Sequence, residues 1–530
     1  MTVTCEPYMS ATLITGGRVL LGDANTGSFD DVALVYVDGV ITWIGAVASA
    51  PPVERTVYLE GAVVLPAFVD GHVHATDTGL ALTGLDLSSA RSKADVLAAV
   101  SSRTRELRGR PILGHGWDES SWVVKELPTS ADLDRASFGS VVYLARVDAH
   151  SALVSGALLA SVPRVETLRG FDASGIVSMD AHHAVRGAAL RLITPSQRTE
   201  AQSTMLRHAA SKGVAVVHEM AGPDISSADD AAGLMALSAD PALPDVVLYW
   251  GQHAATGGLE MVRELGAHGA GGDLFVDGAL GSRTACLRSP YADQPTSRGA
   301  LYLDHDSCVD HLVRCSEVGV PSGFHVIGDA AMDVVVRALR AAEDSVGAQR
   351  MRALRHRLEH VEMIDAAQIA VLADLGVIAS VQPAFDAAWG GTSGMYADRL
   401  GLDRGAELNP FAALVASQVE LVLGSDSPVT AMDPWGSIRA AVGHRTPAHA
   451  IDVRTAFDAH TRAGFGVVGD TSSGVLAVGA TATFAIWHRD DFDTATRWPI
   501  LIGDYSPSCM GTVRNGSRLY WADDIHEVAS

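Results

Sequence analysis

Lysine is nearly absent from this chain. Only Lys93, Lys125 and Lys212 carry it, so arginine supplies almost all of the positive charge and no lysine amine is available after residue 212. Positive charge is short as a whole: 39 Lys and Arg stand against 62 Asp and Glu, a formal net charge of −23. That balance argues against nucleic acid and anionic membrane as partners, since both need basic patches. Cysteine is sparse too. Cys5, Cys286, Cys308, Cys315 and Cys509 are odd in number and show no CxxC spacing, which leaves neither a disulfide framework nor a structural zinc knuckle. No apolar run approaches the roughly 18 residues of a membrane span, and Met1–Ser10 lacks the basic-then-apolar pattern of a secretory signal. A cytoplasmic protein acting on a small molecule is expected.

What the chain does have is length and apolar content. With 530 residues, 48% hydrophobic and 19% charged, it exceeds one ordinary domain unless that domain is a barrel with insertions. Apolar strand-like runs alternate with Ala/Leu-rich helical stretches, the pattern of a parallel sheet covered by helices. The expected strands are 64–69, 214–218, 246–249, 274–276, 323–326, 358–360, 377–381 and 422–424. Eight βα units predict a (β/α)8 TIM-type barrel with its site at the C-terminal strand ends. The alternative, an open doubly wound sheet, lacks a GxGxxG after its first strand. Both chain ends read as β-structure, with a hairpin expected at Ala33–Val37, Asp38-Gly39 and Val40–Gly45. The expected organisation is a small β-sandwich from residues 1–65 and 466–530 around a barrel at 66–465. Roughly 140 residues separate the first two barrel strands, more than one crossover needs, so an insertion at about 78–205 is expected over the barrel mouth.

The stretch Leu65–His74 ends the first strand in His72-Val73-His74. Side chains at i and i+2 leave one face of a strand, so the two imidazoles project together as half of a metal site. Alone, the pair also fits two partly exposed histidines. His325, His360 and Asp426 then fall at later strand ends, putting four imidazoles and a carboxylate at one mouth. Neutral imidazole with carboxylate suits Zn²⁺, and also Fe²⁺, Mn²⁺ or Ni²⁺, better than Mg²⁺ or Ca²⁺.

Together with Phe68-Val69-Asp70-Gly71 before the HxH, the block Asp277–Ala285, Glu359-His360 and Gly424-Ser425-Asp426, this order resembles the amidohydrolase superfamily. More narrowly, it is similar to the amidohydrolase family 3 branch that includes N-substituted formamide deformylase. The resemblance implies that His72 and His74 hold a first metal, that His325 and His360 bind a second or complete the first, and that Asp426 ligates metal and acts as general base. It also implies that His360 or Arg283 steadies the oxyanion, and that a metal-bound hydroxide cleaves a non-peptide C–N bond of amide or N-formyl type. In many such proteins a carboxylated lysine bridges two metals four residues before the Asp-Gly pair. Here that position is Asp273, whose side chain is shorter than a lysine carbamate by roughly 4 Å. Glu219, Asp277 and Cys286 are other substitutes.

The expectation is therefore a single metal, zinc first with iron or manganese also fitting, on His72, His74, His325 and Asp426, with His360 weakly bound. Two ions bridged by Asp273 or water are the alternative. His115, Trp117, Asp118, Arg146, Asp148, His150 and Gln382 are the expected pocket residues, with His150 and His444 as structural or pocket groups rather than ligands. Two rival functions stay open. One is hydrolytic deamination of a heterocycle, whose usual glutamate is Gly328 here; the other is a catalytically silent small-molecule-binding relative. A small-molecule amide is the expected partner, and a homodimer fits the resemblance.

Overall fold

The apolar run that leads to the two histidines forms two strands rather than the one expected over 64–69. Val63–Pro66 pairs antiparallel with Phe484–Trp487 in a peripheral sheet, and Phe68–Val73 (β1) opens the central parallel layer. Pro66 has no N–H to continue a ladder, so the break falls beside it. This architecture comes from a computed structural model that describes residues 11–20, 32–493, 498–503, 505–523 and 525–529. Met1–Ser10, with Cys5, lies outside the described residues.

Val214–Ala221 (β2) pairs parallel with β1, and Asp245–Trp250 (β3) with β2. Gly323–Val326 (β4), Arg357–His360 (β5), Ile378–Val381 (β6) and Leu421–Leu423 (β7) form a second parallel sheet in that order. β1, β2, β4, β5, β6 and β7 are buried along their whole length, as parallel strands covered on both faces must be. Helices such as Asp329–Val346 and Ala366–Leu375 follow the strands, the latter set by an Asp365/Gln368 capping box and stopped by Gly376 at φ 64°. Together these elements make a TIM-barrel-like α/β unit.

The two sheets meet through short backbone contacts. Gly269 bridges to Tyr249 and Ala270 to Ser322, both parallel, and Phe275 bridges to His325. The expected strand at 274–276 is thus an irregular segment that begins earlier, at 269. Its sequence explains this: Gly269, Gly271 and Gly272 interrupt any ladder, and Gly272 has φ 75°. On the other side, Val73 bridges to Ser427, and Asp426 N–H donates to His72 O at 2.8 Å. A Cβ on Gly71 would lie 2.5 Å from Val422 Cγ1, and one on Gly424 would lie 2.5 Å from His72 N. These glycines let β1 and β7 approach closely.

Two five-stranded sheets draw on both chain ends. One runs His526–Ala529, Arg55–Tyr58, Thr12–Thr15, Val32–Val37, Val40–Ala46; the other runs Arg18–Val19, Val63–Pro66, Phe484–Trp487, Cys509–Arg514, Ser517–Trp521. The expected hairpin is present, with Asp38 and Gly39 both at positive φ. Ile14, Leu34, Val57, Val64, Phe484, Ile486 and Val513 share one apolar cluster. Phe68 joins this region to the central unit, its ring edge-on to Trp435 at 5.1 Å and Trp487 at 5.7 Å. Between β1 and β2 a third five-stranded sheet is built from Leu85–Asp86, Ile112–Trp117, Val142–Arg146, Ser151–Val154 and Ile176–Ser178. No described helix is long and apolar enough to cross a membrane.

Gly71→Ala tests the β1–β7 contact. The added methyl has no room, and overpacking of this kind costs about 1–3 kcal/mol, so the guanidinium unfolding midpoint should fall. An unchanged midpoint would mean the two strands are not held this closely.

Candidate metal centre

β1, β4, β5 and the turn after β7 deliver His72 and His74, His325, His360 and Asp426 to one point, and all are buried. Asp273 stands among them. Its Oδ2 lies 3.3 Å from His74 Nε2 and 3.7 Å from His72 Nε2, while its Oδ1 lies 3.5 Å from His325 Nδ1 and 3.8 Å from His360 Nε2. Asp426 Oδ1 is 3.1 Å from His74 Nε2 and 3.5 Å from His72 Nε2. The structure thus places Asp273 beside the four expected ligands, where the two-ion alternative needs it. The short side chain reaches because the backbone before it has no side chains to hold it off. A Cβ on Gly271 would lie 2.4 Å from Gly323 N, and one on Gly251 2.7 Å from Asp273 O.

The donor set fits a divalent cation on its own chemistry. His72 Nε2, His325 Nδ1, Asp273 Oδ1 and Asp426 Oδ1 are buried atoms with no hydrogen-bond partner among the described residues, an arrangement proteins avoid unless something else satisfies it. Ligand atoms of His72, His74 and Asp426, and of His72, Asp273 and His360, lie within 4.8 Å of one another. Three outward nitrogens are tied down: His72 Nδ1 to Glu359 Oε2 at 2.9 Å, His360 Nδ1 to Gln382 Oε1 at 2.8 Å, His325 Nε2 to Gly278 O at 3.3 Å; His74 Nδ1 has no partner among the described residues. Such contacts fix which nitrogen is free for a metal. His360 and Asp426 hold φ of 71° and 53°, backbone strain of the kind kept where function requires it.

Beneath the histidines lies an ion pair that was not singled out from the sequence. Arg357 donates through Nε to Glu359 Oε1 at 2.7 Å and through Nη2 to Glu359 Oε2 at 2.9 Å, reaches Ser380 Oγ at 2.7 Å and His218 Nδ1 at 2.9 Å, and bonds Gly71 O. Burial pushes the Glu359 carboxyl up, but Arg357 and His72 outweigh it and hold it at about 2. Its signal was present: Arg357 and Glu359, at i and i+2, leave one face of a strand that ends in His360. Asp70 was also missed; it accepts N–H groups from His72 and Ser425, tying the first metal strand to the Asp426 turn.

The remaining candidates divide. Asp148 and His150 line the cavity shared by His325, His360 and Asp426, and burial, with His325 adding to it, lowers His150 to about 3. His115 and Arg146 line a neighbouring cavity with Tyr143 and Arg186. Arg146 is occupied by Asp118, Glu119 and Asp148 at 2.7–2.8 Å, so Asp118 holds Arg146 in place. Trp117 is a correction: it is fully buried in the apolar core of the inserted sheet, with its N–H on Leu144 O. Arg283 is another, because its guanidinium is spent on Asp293 at 2.7 Å, which anchors its own loop. Glu219 accepts the Ala75 N–H and is pushed up to about 8 by burial; it borders a cavity of about 220 Å³ beside His74. Asp277 accepts N–H groups from Cys286, Ile327 and Gly328, so its oxygens hold backbone rather than bridge. His444 sits 3.6 Å from Asp386, apart from the cluster.

A barrel-like fold carrying histidines and aspartates at its strand ends defines a metal-dependent hydrolase. The sequence model of the Amidohydrolase family matches residues 55–520, and the chain belongs to that family. YtcJ of Bacillus subtilis is 28% identical over 87% of this chain and 92% of its own length. N-substituted formamide deformylase of Arthrobacter pascens is 22% identical over 92% and 91%. An uncharacterized metal-dependent hydrolase from Pyrococcus furiosus superposes with a TM-score of 0.67, at 26% identity, over 90% of this chain and 98% of that one.

Glu359→Gln leaves Arg357 buried without its counter-ion, a loss of about 3–5 kcal/mol at neutral pH, read as a lower thermal midpoint. Because the Glu359 carboxyl falls from its ordinary 4.5 to about 2 on folding, its stabilisation is full above pH 4.5 and fades as pH drops toward 2. The gap between wild type and variant should therefore shrink from pH 7 to pH 3. A gap independent of pH would contradict the ionised pair.

Proposed function

We propose that this protein hydrolyses a non-peptide C–N bond, of amide or N-formyl type, in a small molecule. The observation that carries this reading is the convergence of four imidazoles and two carboxylates, with His72 Nε2, His325 Nδ1, Asp273 Oδ1 and Asp426 Oδ1 lacking any hydrogen-bond partner among the described residues. The same reading takes the strands and their bridges as a closed eight-stranded barrel, and the two terminal sheets as a β-sandwich.

His72, His74 and Asp426 would hold one divalent ion and His325 and His360 a second, with the Asp273 carboxylate standing between the two histidine pairs. Nitrogen and carboxylate donors favour Zn²⁺, with Fe²⁺ or Mn²⁺ also suited. Bound there, such ions lower the pKa of water toward neutrality and polarise a carbonyl. Asp426 takes the proton from the attacking water and returns it to the leaving nitrogen. Its positive φ and its bond to His72 O keep the carboxylate aimed at the cluster. Gln382 and Glu359 hold the His360 and His72 rings in orientation, and Asp148 and His150 close one wall against water.

The test is release of acid and amine from a panel of N-substituted formamides and simple amides by the metal-loaded protein. Asp426→Asn should lower kcat by about 10²–10⁴-fold, and His72→Ala should abolish turnover. Full activity in both variants would place the chemistry elsewhere.

A further inference from the structure

The cavity bordered by His325, His360 and Asp426 also reaches Glu362 and a group of aromatic rings that the proposed chemistry does not use. Glu362 follows His360 across Val361, whose φ is 53°, and is 3% exposed. Its Oε2 accepts the Tyr396 hydroxyl at 2.5 Å. Its Oε1 takes no hydrogen bond, and no arginine or lysine pairs with this carboxyl, among the described residues. Glu359 has Arg357 and Asp148 has Arg146, while Glu219 and Asp277, also without an arginine or lysine partner among the described residues, take backbone N–H groups; Glu362 has only the Tyr396 hydroxyl. Burial without a cation raises this carboxyl to about 7, and its open oxygen borders the cavity, where a cationic ligand would hold it ionised.

The walls suit one. The Phe385 and Trp389 rings are 5.0 Å apart, and those of Trp389 and Tyr396 6.3 Å; Phe385 stacks on His360 at 6.0 Å. Aromatic faces attract ammonium groups. The free space, about 30 Å³, is on the scale of one water or one ammonium head.

We propose that this cavity is a subsite for a primary ammonium group, with Glu362 Oε1 accepting its N–H and Phe385, Trp389 and Tyr396 supplying a cation–π surface. Glu362 is then a specificity-determining residue. The proposal rests on the hydrolase reading and narrows its substrate to an amide or formamide that carries an amino group close to the scissile carbonyl.

Propylammonium, protonated at pH 7 as the lysine amine is, and propan-1-ol are titrated into the metal-loaded protein, with dissociation constants read by saturation-transfer NMR. Wild type should bind the amine at least about tenfold more tightly than the alcohol, and Glu362→Gln should remove that preference. Trp389→Leu, a second route should the glutamine variant not fold, should weaken the amine about two- to fivefold and leave the alcohol unchanged. Equal binding of amine and alcohol by wild type would overturn the proposal, as would wild-type amine affinity in either variant. Because binding is read without turnover, failure of the hydrolase reading shows separately, as amine preference without hydrolysis.

Discussion

A carboxylate on a single methylene has to meet four imidazole nitrogens at 3.3–3.8 Å, and the backbone around Asp273 is arranged to make that possible. Gly251, Gly271, Gly272 and Gly323 remove the side chains that would hold this segment away from its neighbours, and Gly272 turns the chain immediately before the aspartate. The same glycines prevent a regular strand there. Loss of ladder and gain of reach are one structural choice.

The cluster is held from below as well as from the side. Glu359 fixes His72 and is itself neutralised by Arg357, whose remaining donors spread to Gly71, Ser380 and His218 on three other strands. Removing Glu359 or Arg357 strands a buried charge, so the metal face and the packing of the strands are energetically joined. Asp70 adds a second tie, between the β1 backbone and the turn that carries Asp426. With so many buried donors aimed at one point, metal binding and folding stability are expected to be linked.

Much of this could be read in the sequence. The strand-end positions of His72, His74, His325, His360 and Asp426 follow from period-two projection and apolar runs, and the structure brings these side chains together. Six of the eight expected strands correspond to parallel strands, with boundaries shifted by a few residues, and the first splits at Pro66 between a peripheral antiparallel strand and the parallel strand Phe68–Val73. The fourth could not be read correctly, because its glycines replace side-chain alternation by close backbone approach, which no periodicity records. Asp273 entered only the two-ion alternative because its side chain is short, and the close backbone approach that carries it inward at Gly251, Gly271 and Gly272 leaves no periodicity to read. Trp117 was placed by residue character and Arg283 by the resemblance, whereas the apolar core of the inserted sheet and the Asp293 carboxylate decide where they go. Glu362 gave no signal in sequence beyond being an acid near His360.

The role of Asp273 is the central claim, and metal content per chain tests it most directly. Wild-type protein and Asp273→Asn are loaded with Zn²⁺ in bicarbonate-free buffer, desalted and measured by elemental mass spectrometry. The account predicts about two ions per wild-type chain, bound without added CO₂, and a loss of at least about one in the variant. Equal metal content in the two proteins would contradict it.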